Sequence, residues 1–195
     1  EQEFIDKKTL RNIERGEVND VKFINYIKKI KPDIIIINAT SILSKNFIDN
    51  FKNKIINVHA GLCPYYWGSG CNVWPFFYDE LEFIGMTVHY VNEFVDKGNI
   101  ILQSRPYLEL TDNTHSVGCK NNIAGIELTK KVLNSFIKQK YLPKGWKQDK
   151  LKNIRVCKKK NFTKEVIMKI NQNFKEGIVR KYIKNQKAIK IKVEL

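Results

Sequence analysis

A chain of 195 residues with 43% hydrophobic and 11% aromatic content is long enough for one packed domain and too apolar for disorder throughout. No apolar run reaches the ~18 residues that a membrane span needs, so no membrane partner is expected. The net charge of +15 is concentrated at one end: residues 140–195 hold 18 Lys/Arg against 4 Asp/Glu (+14), and residues 1–139 hold the other 17 and 16 (+1).

Glu1–Leu10 reads as neither a signal nor a transit peptide, and the absence of an initiator Met suggests that N-terminal residues are missing. Cys63, Cys71, Cys119 and Cys157 are scattered, with no C-x-x-C and no zinc-type spacing. They read as apolar residues of a reduced, cytoplasmic protein that holds no metal. The basic segment could meet phosphates or nucleic acid, but its few aromatics favour a solvated lysine face.

Along the chain, Val21, Ile24, Ile27 and Ile30 recur at helical spacing, Asp20 is an N-cap candidate and Pro32 ends the helix. Asp33–Ala39 is a continuous β-branched run, the pattern of a parallel strand covered on both faces. A short helix follows from Ser44, a capping residue, to Phe51. The next strand is Lys54–His59. Strand, helix and strand within about thirty residues predict a right-handed βαβ unit in a doubly wound, mostly parallel sheet, a Rossmann-like α/β fold.

Gly85–Val91 and Asn99–Leu110 read as further strands, joined through a turn at Gly98. Asn113–Gln139 carries Leu128, Val132 and Phe136 at helical spacing and predicts a packing helix. Lys140–Leu151 reads as a linker with Pro143 and Gly145. Two short helices split near Gly177 follow, and an alternating strand closes the chain at Ala188–Leu195. The expected organisation is a catalytic domain over 1–139 and a basic appendage over 140–195 that packs on it.

Chemistry is concentrated in "IINVHAGLCPYYWGSG", Ile55–Gly70. Side chains alternate along a strand, so Asn57 and His59 share one face near its carboxyl end. Open α/β sheets bind ligands there. Polar side chains in an apolar strand are costly unless paired or used. Spacing alone leaves two readings level: a site, or an Asn and a His satisfied by neighbouring backbone. A third titratable group would decide between them, and Asp96, in a turn relaxed by Gly98, is the natural candidate.

These residues resemble the folate-dependent formyltransferase family. Asn57-x-His59, the loop with Pro64 and Gly68, and Asp96-x-Gly98 followed by Ile100 and Ile101 stand in the family's order, and Asp33–Asp49 resembles the segment before that strand. The likeness runs from about Lys31 to Lys138. It implies transfer of a formyl group from N10-formyltetrahydrofolate to a primary amine, without a metal. Asn57 and a protonated His59 would donate to the developing oxyanion, and Asp96 would hold the imidazolium and help carry the amine's proton away. The donor would lie against Ser41, Ile42 and Leu43 and against Asn92, Glu93, Phe94 and Val95. Pro64, Tyr65, Trp67 and Gly68 would form the substrate loop, although Trp67 stands where many relatives carry a basic residue. His89 is expected to support a strand and shape the pocket, His115 to sit in a cap, and Trp74 and Phe77 to be core.

The resemblance leaves the amine open. A nucleotide-linked amino sugar is the first expectation, from the aromatic loop and the short appendage. Glycinamide ribonucleotide is the second, although 140–195 would then be unexplained. Methionyl-tRNA is the third; the basic tail suits it, but ~55 residues is short for that branch's C-terminal barrel. A nucleic-acid partner is thus secondary to a small-molecule one, and a homodimer stays open.

Overall fold

The computed structural model describes residues 11–149, 151, 153–186, 189 and 191–194. Its strands are β1 (Ile35–Ile37), β2 (Ile55–His59), β3 (Tyr66–Gly68), β4 (Met86–Tyr90), β5 (Ile100–Ser104) and β6 (Arg155–Cys157). The helices are α1 (Val21–Ile30), α2 (Lys45–Asn50), α3 (Trp74–Tyr78), α4 (Thr114–Gln139), α5 (Lys164–Lys175) and α6 (Ile178–Lys184).

β1 and β2 run parallel, with Ile35 opposite Ile55, and α2 crosses between them, the βαβ unit read from the sequence. The described main sheet has the order β1-β2-β4-β5. β4 is antiparallel to both of its neighbours, so β1, β2 and β5 point one way and β4 the other. The class is α/β, and the sheet is parallel in all but this strand. β1 is shorter than its β-branched run and lies at the edge of the described sheet, with Ile36 40% exposed rather than covered on both faces. β5 likewise stops short of Leu110, because Pro106 has no N–H for a ladder.

Local chemistry sets the ends of the helices. Ser44 caps α2 by accepting from the Phe47 N–H at 3.2 Å. Asn113 and Ser116 form a reciprocal capping box at the start of α4, with His115 in its first turn. Asp20 holds the N-cap position of α1 without a side-chain bond.

Three apolar clusters hold the layers together. One face of the sheet packs Val58, Met86, Val88 and Leu102 against Leu128 and Val132 of α4. α1 and α2 place Ile24, Phe47 and Phe51 against Ile55. The third cluster joins Tyr66, Trp74 and Phe76 to Val166, Ile170, Ile178 and Val179 of α5 and α6. Trp74 is a core residue, as expected, and Phe77, half-buried, packs against the same cluster. Each buried aliphatic side chain stabilises by about 1.5–3 kcal/mol, so the segment after residue 151 is bound by its own core contacts.

β3 and β6 form a small parallel sheet that the sequence did not announce, pairing Tyr66 with Arg155 and Gly68 with Cys157. The closing strand expected at Ala188–Leu195 falls partly outside the described residues. Ile189 and residues 191–194 form no strand, although the Gln103 N–H donates to the Lys192 carbonyl at 2.5 Å.

Candidate active site

β2 carries Asn57 and His59 on one face, as alternation requires, and β4 lies antiparallel beside it with His89 directly opposite Asn57. The turn after β4 brings Asp96 to the same place. Asp96 adopts φ +56, a left-handed conformation that Asp tolerates better than most side chains. Gly98 is required two residues later, because a Cβ there would overlap the Tyr90 carbonyl oxygen.

The Asp96 carboxylate is the hub. Its Oδ1 accepts from Asn57 Nδ2 at 3.1 Å and lies 3.5 Å from His89 Nε2. Its Oδ2 accepts from the Gly68 N–H at 2.7 Å and lies 3.6 Å from His59 Nδ1. Glycine is needed at 68 for its approach to β6, since at φ +99 a Cβ would strike the Cys157 carbonyl. His59, His89 and Asp96 are all buried.

The ring nitrogens can be assigned from their partners. A carbonyl only accepts, so in neutral His59 the proton is on Nε2, which faces the Tyr66 carbonyl at 3.1 Å. That leaves Nδ1 bare, facing Asp96 beyond hydrogen-bond length. By the same argument His89 donates from Nδ1 to the Tyr90 carbonyl at 2.8 Å, and its bare Nε2 accepts from Asn57 Nδ2 at 3.2 Å. Both amide hydrogens of Asn57 are then committed, one to His89 and one to Asp96. Donation to an oxyanion requires Asn57 to release or share one of them.

Burial holds the His59 pKa below its ordinary 6.5; Asp96 and the Tyr66 carbonyl pull it back only in part, and the His89 ring adds to the lowering. Burial thus disfavours the charged ring, whereas the resemblance implies a protonated His59 as donor. For Asp96, burial pushes upward, but a hydrogen bond from His89 and the charge of His59, both available only from a protonated ring, together with the Gly68 N–H outweigh it and hold the carboxyl below 3.8. Asp96 is the charged member of the group.

These side chains line a cavity of about 760 Å³. Ser41, Ile42 and Leu43 form part of its wall, as do Asn92, Glu93, Phe94 and Val95. Ile42 (75%), Phe94 (57%) and Val95 (46%) leave apolar surface exposed there, which suits a flat heteroaromatic ring. Of the expected substrate loop, only Gly68 reaches this wall. Tyr65 stacks on Phe83 with ring centroids 4.3 Å apart, Pro64 is buried beside it, and Trp67 donates its indole N–H to Gln148 at 3.0 Å. None of these three lines the cavity.

The wall also includes residues that the sequence reading did not single out: Ser69–Asn72, Asn122 of α4, and Val156, Cys157 and Lys158 of the C-terminal segment. Asn121 Nδ2 donates to Asn72 Oδ1 at 2.7 Å, which fixes the Asn72 amide on this wall. His89 lines the same wall, as its expected pocket-shaping role requires, and the strand register sets it opposite Asn57. Among the described residues no His/Cys/Asp/Glu group has the arrangement of a metal site.

A sequence model described as formyl transferase matches residues 2–133. The chain belongs to the formyl transferase family. Methionyl-tRNA formyltransferase of Clostridium tetani is 30% identical over 169 residues, which cover 85% of this chain and 52% of that protein. This formyl transferase family member spans about half, or less, of the length of the first curated relatives it matches. Among solved structures, a 4-N formyltransferase from Francisella tularensis shares the fold with TM-score 0.62 and 20% identity, covering 79% of this chain and 66% of that one. An N-formyltransferase from Helicobacter canadensis, solved with folinic acid and dTDP-3-aminofucose, matches with TM-score 0.53 and 25% identity over 60% of this chain and 42% of that one.

Proposed function

We propose that this chain carries the reacting centre of an N-formyltransferase, which moves the formyl group of N10-formyltetrahydrofolate to a primary amine. The observation that carries the reading is the convergence of Asn57, His59 and His89 on one buried, ionised carboxylate, Asp96, at the wall of a cavity sized for a folate head group. The donor supplies an activated formyl carbon. The apolar rim of Ile42, Phe94 and Val95 would hold its ring against residues 41–43 and 92–95.

The protein's part is proton handling and charge stabilisation. His59 Nδ1, bare in the resting state, takes the proton that the amine sheds as it bonds to the formyl carbon. Asp96, 3.6 Å away, stabilises the imidazolium so formed, and the same proton then passes to the departing nitrogen. Asn57 redirects an amide N–H to the developing oxyanion. A preorganised donor of this kind is worth about 3 kcal/mol of barrier.

The acceptor we favour is a nucleotide-linked amino sugar. Its binding wall would be Ser69–Asn72, Asn122 and Val156–Lys158, where one hydroxyl, two amides and one cation among small and apolar residues suit a small, phosphate-bearing amine. Glycinamide ribonucleotide meets the same chemistry. The +14 balance of residues 140–195 favours methionyl-tRNA as the second reading. The test is tetrahydrofolate release from N10-formyltetrahydrofolate in the presence of dTDP-amino sugars, glycinamide ribonucleotide or charged initiator tRNA. Turnover with an amino sugar supports the favoured reading. Turnover with tRNA alone replaces it, and inertness towards every amine overturns formyl transfer itself.

A further inference from the structure

Gln148 lies in the stretch between α4 and β6, far from the reacting residues in sequence, yet it touches the loops that carry them. Its Nε2 donates to two backbone carbonyls of the Asp96 turn, those of Asp96 at 2.6 Å and Gly98 at 2.8 Å. Its Oε1 accepts the indole N–H of Trp67 at 3.0 Å. The next residue, Gly68, donates its N–H to the Asp96 carboxylate at 2.7 Å. The turn is thus tied twice to one strand: the carboxylate by Gly68, and the backbone through Gln148 to Trp67. Lys97 Nζ, 4.7 Å from the Trp67 ring centroid, stacks the same two loops together.

The geometry explains why an amide is needed. Two carbonyls can only accept and an indole N–H can only donate, so the residue between them must offer two donors and one acceptor. Neither Glu nor Leu supplies that set. The turn needs the support because Asp96 sits at φ +56, a conformation that persists when its surroundings over-determine it.

We propose that Gln148 is a positioning residue: it locks the Asp96 turn to β3 and so fixes the carboxylate against His59. This rests on the reading of His59 and Asp96 as the proton-handling pair. The segment after α4 is thereby part of the reacting centre, although it contributes no reacting atom. A displacement of about 1 Å between groups that must meet in the transition state costs on the order of 100-fold in rate.

The test uses the full chain with Gln148→Leu, and with Trp67→Phe as a milder variant that removes only the indole donor. Two readouts are taken: kcat and KM for the folate donor, and the titration midpoint of His59 followed by NMR of 15N-labelled histidine. Gln148→Leu is expected to lower kcat by about 10- to 100-fold and to raise KM for the donor by less than that, because residues 41–43 keep their part of the donor wall while the turn that carries 92–95 loosens. The His59 midpoint is expected to move down, since Asp96 is the charge that raises it. Trp67→Phe should move both readouts the same way by less, and it decides the matter if Gln148→Leu fails to fold. An unchanged midpoint and kcat in a folded variant overturns the proposal, as does a loss confined to KM. If the wild type transfers no formyl group to any amine, the midpoint alone decides: a downward move upholds the positioning role while formyl transfer fails, and a fixed midpoint overturns both.

Discussion

At the scale of single residues, the site separates ionised Asp96 from a buried His59 whose charged form burial disfavours, two groups 3.6 Å apart with opposed environments. If His59 Nδ1 is the base, His59→Ala and Asp96→Asn should each lower kcat by about 10²- to 10⁴-fold. Binding of tetrahydrofolate, measured by calorimetry, should stay nearly unchanged, since neither group is assigned to ground-state binding. An equal loss in donor affinity would reassign both residues to the donor pocket. The pH dependence follows from the lowered His59 pKa. At saturating substrates kcat should be flat through neutral pH and fall as pH drops through a value below 6.5, where the ring becomes protonated. A kcat that instead falls as pH rises past neutrality would make the imidazolium the working form. The same lowering acts on stability, because below 6.5 the unfolded chain takes up a proton that the folded ring refuses, so His59 destabilises the fold towards acid. Asn57, His59 and Asp96 were legible in the sequence because strand alternation and the Asp-x-Gly turn are local patterns. For His89 the resemblance implied a strand residue that shapes the pocket, which it does, but its contact with Asn57 and Asp96 depends on a register between strands some thirty residues apart in the chain.

At the scale of elements, the small β3–β6 sheet shapes the site more than any helix does. It sets Gly68 against Asp96, the Tyr66 carbonyl against His59, and Trp67 against Gln148. Local sequence could not reveal it, because three-residue strands far apart in the chain carry no periodicity of their own. Its clasp is visible only in three dimensions: Arg155 Nη2 pairs with Glu80 Oε1 at 2.6 Å, and Tyr66 Oη donates to the other Glu80 oxygen at 2.5 Å. Burial pushes Glu80 upward, but its bonds with Arg155 and Tyr66 prevail and hold it below 4.5. A lowered carboxyl stabilises the fold above its unfolded pKa, and that contribution is lost as pH falls through the folded value. Arg155 is 38% exposed, so solvent screening reduces the pair to roughly 1 kcal/mol. Arg155→Met should therefore lower Tm by about 2–4 °C at pH 7. The gap to the wild type, followed by calorimetry, should hold down to about pH 5 and close below 4.5. A gap independent of pH would assign the loss to packing of Arg155 over the Tyr78 ring instead.

At the scale of the whole molecule, charge and packing divide the C-terminal segment between them. Its +14 balance invites a polyanion, yet Val166, Ile170, Ile178 and Val179 are buried against Trp74 and Phe76, and Asn173 donates to the Phe76 carbonyl at 2.8 Å. Removing the segment would strip that core and the β3–β6 sheet, so truncation cannot separate binding from folding. Charge substitution can. If the acceptor is a nucleotide sugar, only about two phosphates are neutralised, and log KM should rise with log salt at a slope of about 2 or less. If it is tRNA, six or more phosphate contacts would make the slope several times steeper. Lys158 lines the cavity, whereas Lys159 and Lys160 are exposed beside it. With a sugar nucleotide, Lys158→Gln alone should raise the acceptor KM and flatten the slope by about one, while the Lys159→Gln/Lys160→Gln pair should change neither. With tRNA the pair should weaken binding at least as much as Lys158→Gln does, because a polyanion averages over a charged face and a small ligand reads one position. We expect the first pattern: the lysines of α5 and α6 lie outside the cavity wall, and Lys158 is the one lysine among the described residues that line it.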